Sequence, residues 1–198
     1  MSGPWLIVGL GNPEARYAHN RHNIGHMVID ALAGRTGSRL SRHKARARVT
    51  EVRLGLLSGG APGPRVILAR PEAFMNVSGG PVKALVRFYG VDPAARLLVI
   101  HDELDISPHE MRLKRGGGEG GHNGLRSISQ ALGTRDYARL RVGIGRPPGR
   151  QDPADFVLSD FPARERSEWA VTCEEAADAV ESVVFLGLDA AQRRLHSA

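Results

Sequence analysis

Five polar positions could do chemistry together: Asn12, His22, Asn76, Asp102 and the pair His122 and Asn123. Each follows a predicted strand, and in an open α/β sheet the carboxyl ends of strands converge on one crevice. A neutral histidine beside a carboxylate is an oriented general base. Asp102 would accept the N–H of one ring nitrogen of His22, fix the tautomer, and leave the other nitrogen to take a proton from water. Asparagine amides are neutral donors and acceptors, suited to holding a carbonyl and stabilising a developing oxyanion. No serine or cysteine nucleophile accompanies the set, so direct attack by water, hydrolysis, is the simplest chemistry.

Other chemistries fit less well. His22 and His26 have the i, i+4 spacing of a zinc pair, but Asn23 stands where H-E-x-x-H needs Glu, and no third ligand is evident. Asp102, Glu103 and Asp105 supply carboxylates enough for Mg²⁺, as a metal-dependent nuclease would require. Gly9 and Gly11 begin a dinucleotide fingerprint, but Pro13 and Glu14 break it. The loop GGGEGGHNG at 116–124 lacks the Lys-Ser/Thr of a P-loop, so a mobile gate beside a site is as good a reading as a phosphate cradle. Lys114, Arg115, Arg139 and Arg141 flank it as candidate phosphate-binding charges.

The elements that must position these groups alternate. The apolar run 5–8 reads as a buried strand, closed by Gly9 and Gly11. A helix from about His22 to Ala33 follows, with Gly34 as its C-cap. A basic run at 41–48 precedes an alternating strand at 49–57, and SGGAPGP at 58–64 is a turn. Further strands are predicted at 66–69, 97–100, 111–115 and 140–145. A second helix carries Val82, Leu85, Val86 and Tyr89, with Ser78 as N-cap and Gly90 as stop. A third begins at Asn123 or Ser127. Asp152 caps a short helix, a long one starts near Pro162, and Gly187 separates a last short one. The expected architecture is α/β: one domain over residues 1–198, a twisted, mixed, largely parallel sheet with helices on both faces, and C-terminal helices from about 152.

The 198 residues carry a net charge of +6 and a pI near 10.2. That balance favours an anionic partner such as nucleic acid. The lone Cys173 lies at helical spacing among apolar residues, so it reads as a buried structural thiol in a reducing compartment. No basic segment precedes the apolar run 5–8, and no stretch approaches a membrane span, so a soluble cytoplasmic protein is expected.

LGNP at 10–13, RHNIG at 21–25, FMNVSG at 74–79, HDELD at 101–105, GGGEGGHNG at 116–124 and LRVGIG at 140–145 together resemble the bacterial peptidyl-tRNA hydrolase family, in the family's order. The resemblance implies a phosphorylase/hydrolase-like fold and a metal-independent, cofactor-free monomeric esterase. Its substrate is peptidyl-tRNA, engaged through the acceptor stem and the nascent peptide. On that resemblance His22 is the catalytic histidine and Asp102 its supporting carboxylate. Asn12, Asn76 and Asn123 position substrate, with Asn123 also at the catalytic water and oxyanion. Tyr17, Met75 and His122 line the site, and Lys114 and Arg141 clamp the tRNA 5′-phosphate. Arg70, Ala73 and Glu119 depart from the family's usual residues. The alternative is a non-catalytic RNA-binding protein of the same fold, which would not need the five polar residues together.

Overall fold

The computed structural model describes residues 3–197. Its apolar runs form adjacent strands of one seven-stranded sheet: β1 (Trp5–Gly9), β2 (Ser41–His43), β3 (Ala47–Arg53), β4 (Arg65–Pro71), β5 (Leu97–Glu103), β6 (Met111–Arg115) and β7 (Ala138–Gly143). The spatial order is β2-β3-β4-β1-β5-β7-β6. The central strands β4, β1, β5 and β7 run parallel. The flanking pairs are antiparallel. The sheet is therefore mixed, with a parallel centre.

Helices cover both faces, which is why the central strands are apolar at successive positions rather than alternately. On one face α1 (Ile24–Arg35) and α6 (Arg166–Leu186) pack Ile24, Val28, Trp169 and Val180 against Ile7, Leu68, Leu98 and Leu140. On the other, α2 (Gly79–Tyr89) and α4 (Asn123–Leu132) pack Val82, Leu85, Leu125 and Ile128 against Leu6, Val8, Ile67 and Val99. Two short helices, α3 (Pro93–Arg96) and α5 (Pro153–Val157), start at Asp92 and Asp152, whose side chains accept from Ala94 N and Ala154 N. The last helix, α7 (Leu188–His196), shields the open edge of β6. The Leu113 N–H donates to His196 Nε2 at 3.1 Å, and Gln192 Nε2 donates to the Leu113 carbonyl at 3.0 Å. Those side chains take the place of a further strand.

Several boundaries differ from the sequence reading, each for a local reason. The basic run at 41–48 folds as the β2–β3 hairpin, with Arg46 at φ 56° in its turn. Ser78 occupies the N-cap position of α2, as expected, but its side chain caps no N–H: its φ and ψ are helical and its hydroxyl donates to the Met75 carbonyl at 2.9 Å. The Gly79 N–H goes instead to Ser127 Oγ of α4, at 2.9 Å. The first helix ends at Arg35 rather than Ala33, its C-cap is Thr36 rather than Gly34, and Gly37 takes the left-handed conformation. A 3-10 turn, Ala163–Glu165, precedes α6.

Candidate active site

The chain leaves β1 towards β4 on one side and returns through β5 on the other. The carboxyl ends of these parallel strands open on a common crevice. The turn after β1 and the turn before α1 are locked to each other. The Asn12 N–H donates to Asn23 Oδ1 at 2.9 Å, and Asn23 Nδ2 donates to the Asn12 carbonyl at 3.0 Å. Gly9 and Gly25 allow this approach. A Cβ on Gly9 would lie 2.1 Å from the Gly25 carbonyl oxygen, and one on Gly25 would lie 2.4 Å from Leu10 N. The 3-10 turn Arg21–Asn23 thereby hangs His22 over the end of β5.

There, His22 Nδ1 lies 2.9 Å from each carboxylate oxygen of Asp102. The side chains are nearly closed off, 11% and 3% exposed. Burial opposes charge on His22, but the adjacent Asp102 carboxylate and its hydrogen bond outweigh this and raise the imidazole pKa. Asp102 is held well below the usual carboxylate range. Burial pushes the other way, and the imidazoles of His22 and His122 overcome it. His122 Nε2 stands 2.9 Å from Asp102 Oδ1, while its Nδ1 accepts from the N–H groups of Gly124 and Leu125. α4 thus starts at Asn123, the earlier of the two starts expected from the sequence, and His122 is its N-cap. Because Nδ1 accepts, the ring proton sits on Nε2 and is donated to Asp102.

A cavity of about 470 Å³ opens above this relay. Asn12, Tyr17, His22, Met75, Asn76, Asp102, His122 and Asn123 all line it, so eight of the ten positions singled out in the sequence meet in one place. Asn12 Oδ1 accepts the Met75 N–H at 2.8 Å, which turns the asparagine's own amide N–H groups to the cavity. Lys114 and Arg141 are not in the lining. They lie on one face of the β6–β7 ribbon as diagonal neighbours, across from Arg139 and Arg112 respectively, a spacing of about 7–8 Å.

Some groups have other tasks. Arg139 is fully buried and is not a phosphate ligand: its guanidinium donates to the carbonyls of Gly118 and Gly117 at 2.7 and 3.0 Å and holds the glycine loop in place. Glu119 pairs with Arg135 at 2.9 Å. The acidic trio is dispersed: Asp102 faces two histidines, Glu103 pairs with Arg141 and Asp105 with Arg146. His26 makes no zinc pair with His22. Its ring packs behind Gly11, fully buried, and burial followed by the nearby Arg70 charge lowers its pKa well below the ordinary value. His22, Asp102 and His122 are close enough to hold a metal. However, the His122 nitrogen facing the cluster carries a proton, which leaves it no lone pair to give.

The sequence reading missed the apolar wall. Leu104, the α5 residues Pro153, Ala154 and Val157, and Leu158 just after the helix complete the cavity. The apolar run Phe156-Val157-Leu158 is the only sequence signal near them, and it reads equally as core. Also missed was the clasp behind His22. The Arg21 N–H donates to the Ser159 carbonyl at 3.1 Å, and the Phe161 N–H to the His19 carbonyl at 3.0 Å. Asn20 forms a bridge with Asp160.

The family described as Peptidyl-tRNA hydrolase matches residues 6–198. This chain belongs to the peptidyl-tRNA hydrolase family. A peptidyl-tRNA hydrolase of Kineococcus radiotolerans is 59% identical over 197 residues, covering 100% of this chain and 99% of its own. One of Frankia alni is 62% identical over 195 residues, covering 98% and 95%. The crystal structure of peptidyl-tRNA hydrolase from Acinetobacter baumannii is similar with a TM-score of 0.85 at 36% identity, covering 98% of this chain and 95% of that one. The likeness to this family extends through the α5 wall and the clasp, beyond the six motifs that first suggested it.

Proposed function

We propose that the chain hydrolyses the ester that joins a peptide to the 3′-terminal ribose of tRNA, releasing free peptide and reusable tRNA, and that His22 activates the attacking water. The observation that carries this reading is the His22–Asp102 pair at the floor of a cavity. Nδ1 is taken by the carboxylate, and Nε2 is left for water. As the water oxygen attacks the ester carbonyl, its proton passes to Nε2. Asp102 stabilises the resulting imidazolium, and the proton then returns to the departing ribose hydroxyl.

The tetrahedral oxyanion needs donors. The Asn12 amide is held for this by Met75, and Asn123 brings a second amide at the first position of α4, where the helix dipole favours negative charge. Asn76 and Tyr17 position the ester. The apolar wall of α5 receives the peptide. Lys114 and Arg141 take the tRNA 5′-phosphate outside the cavity, where their charges add affinity without touching the reaction. A monomer in the cytoplasm is part of this reading. No helix among the described residues is long and apolar enough to cross a membrane.

The test is release of peptide and intact tRNA from N-acetyl-aminoacyl-tRNA in excess EDTA. Turnover is expected to persist for the wild type and to fall by roughly 10²–10⁴-fold in His22→Ala with tRNA affinity unchanged. Lys114→Ala is expected to raise KM and flatten its salt dependence at unchanged kcat. Absence of turnover by the wild type would refute the reading, and loss of tRNA affinity in His22→Ala would make that residue a binding group only.

A further inference from the structure

We propose that Arg21 is a positioning residue for His22, and that the segment from α5 to Phe161 couples peptide seated in the cavity to the placement of that histidine. The inference rests on the hydrolytic reading above.

The turn that carries His22 is held from two sides. One is the Asn12–Asn23 lock behind it. The other is the clasp with the segment that follows α5, some 140 residues later in the chain. Arg21 is its centre. Its Nη1 donates to Ser159 Oγ at 2.7 Å, to the Asp160 carbonyl at 2.9 Å and to the Ser159 carbonyl at 3.3 Å. The guanidinium lies over the Phe156 ring, 4.2 Å from its centroid, and Asn20 Nδ2 donates to Asp160 Oδ1 at 2.6 Å. His22 cannot shift along Asp102 without disturbing these bonds, because Arg21 is the next residue.

The same segment faces the substrate. Val157 and Leu158 line the cavity, whereas Phe156, between α5's two ends, is buried under Arg21. One five-residue helix thus presents one side to the peptide and the other to the clasp. It is also short enough to move: α5 has little more than a turn of internal hydrogen bonding. A peptide packed on Val157 and Leu158 stabilises α5 in the position that closes the clasp. A free aminoacyl group has no chain to cover that wall and brings a cationic amine towards it. Discrimination should then appear in the rate of the chemical step as well as in binding.

The experiment compares N-acetyl-aminoacyl-tRNA with a tripeptidyl-tRNA of the same terminal amino acid. In the wild type, kcat is expected to be higher for the tripeptide. Arg21→Ala is expected to lower kcat by roughly tenfold to a hundredfold at similar KM, to remove the difference between the substrates, and to move the acid limb of the pH profile downwards as His22 loses its register with Asp102. Arg21→Lys, which keeps a charge over Phe156 but loses the fixed Nη1 donor, is expected to fall between. Ser159→Ala, which removes the 2.7 Å acceptor along with the hydroxyl's own bond to the Phe156 carbonyl, gives the same test if Arg21→Ala folds poorly. A kcat that is the same for both substrates in the wild type overturns the coupling. A change confined to KM in Arg21→Ala and Ser159→Ala overturns the positioning role. A wild type inert to both substrates overturns the hydrolytic reading itself, and this inference with it.

Discussion

At the scale of single residues, His22 and His122 compete for one carboxylate. Asp102 raises the His22 pKa above its ordinary value of about 6.5. Because the base proposed for the reaction must be unprotonated, kcat/KM is expected to fall as pH drops through that raised value. Asp102→Asn removes the raising influence and leaves burial, which lowers it, so the acid limb should move down while the rate falls. His122→Leu removes a donor that shares the carboxylate's charge, so the limb should move up. The pH profiles of the two variants, measured side by side, check the opposite signs; a shift in the same direction would refute the competition. Residue types made His22 and Asp102 visible in the sequence, because a histidine and a carboxylate at strand ends have few roles that apolar neighbours could supply. The cap formed by His122 was not visible, because histidine is an uncommon N-cap and the feature depends on the angle at which the glycine loop enters α4. The burial of Arg139 was hidden likewise, because a strand arginine reads as solvent-facing until a loop is laid across it.

At the scale of elements, the site depends on contacts between backbones. The end of β1 and the start of α1 touch through Gly9 and Gly25. Gly25→Ala is expected to push the two apart, to destabilise the chain by about 1–3 kcal/mol, and to lower kcat more than it raises KM, because Asn12 and His22 ride on the displaced segments. Urea unfolding and steady-state kinetics on the same preparation measure both effects, and an unperturbed kcat would show that the turn absorbs the methyl group. The strands and the principal helices were legible from periodicity and from Gly and Pro punctuation. The four-residue α3 and three-residue β2 were not, since so few residues carry no period. The edge pairing of β6 with α7 was equally hidden, because a glutamine and a histidine on a helix give no sign that they will satisfy a strand.

For the whole molecule, two buried imidazoles tie stability to pH. Burial, chiefly, lowers His101 to about 3, with His122 and Arg139 adding to the effect and Asp102 opposing it. His26 shifts in the same direction. Both stay neutral in the folded chain, while the unfolded chain protonates them below about pH 6.5. The unfolded state then binds more protons, so stability falls as pH drops from 6.5, by about 2 kcal/mol at pH 5 for His101 alone. His22 has the opposite sign: its raised pKa contributes stability below 6.5 that is lost as pH rises through its folded value. Asp102 contributes above about pH 3.8 and loses its contribution below. Urea midpoints between pH 7.5 and 5 are expected to decline, and less steeply in His26→Leu. An equal decline in that variant would place the loss elsewhere.

The bridge between Asn20 and Asp160 spans most of the chain, and this sets an order in time. Translation delivers His22 early, but its clasp emerges some 140 residues later. A ribosome that stalls anywhere between leaves a nascent chain with His22 and without the clasp on its Arg21 side. Such a fragment, still esterified to its tRNA, is of the substrate class proposed for the finished enzyme, and on the clasp proposal it is not equipped to cut its own linkage.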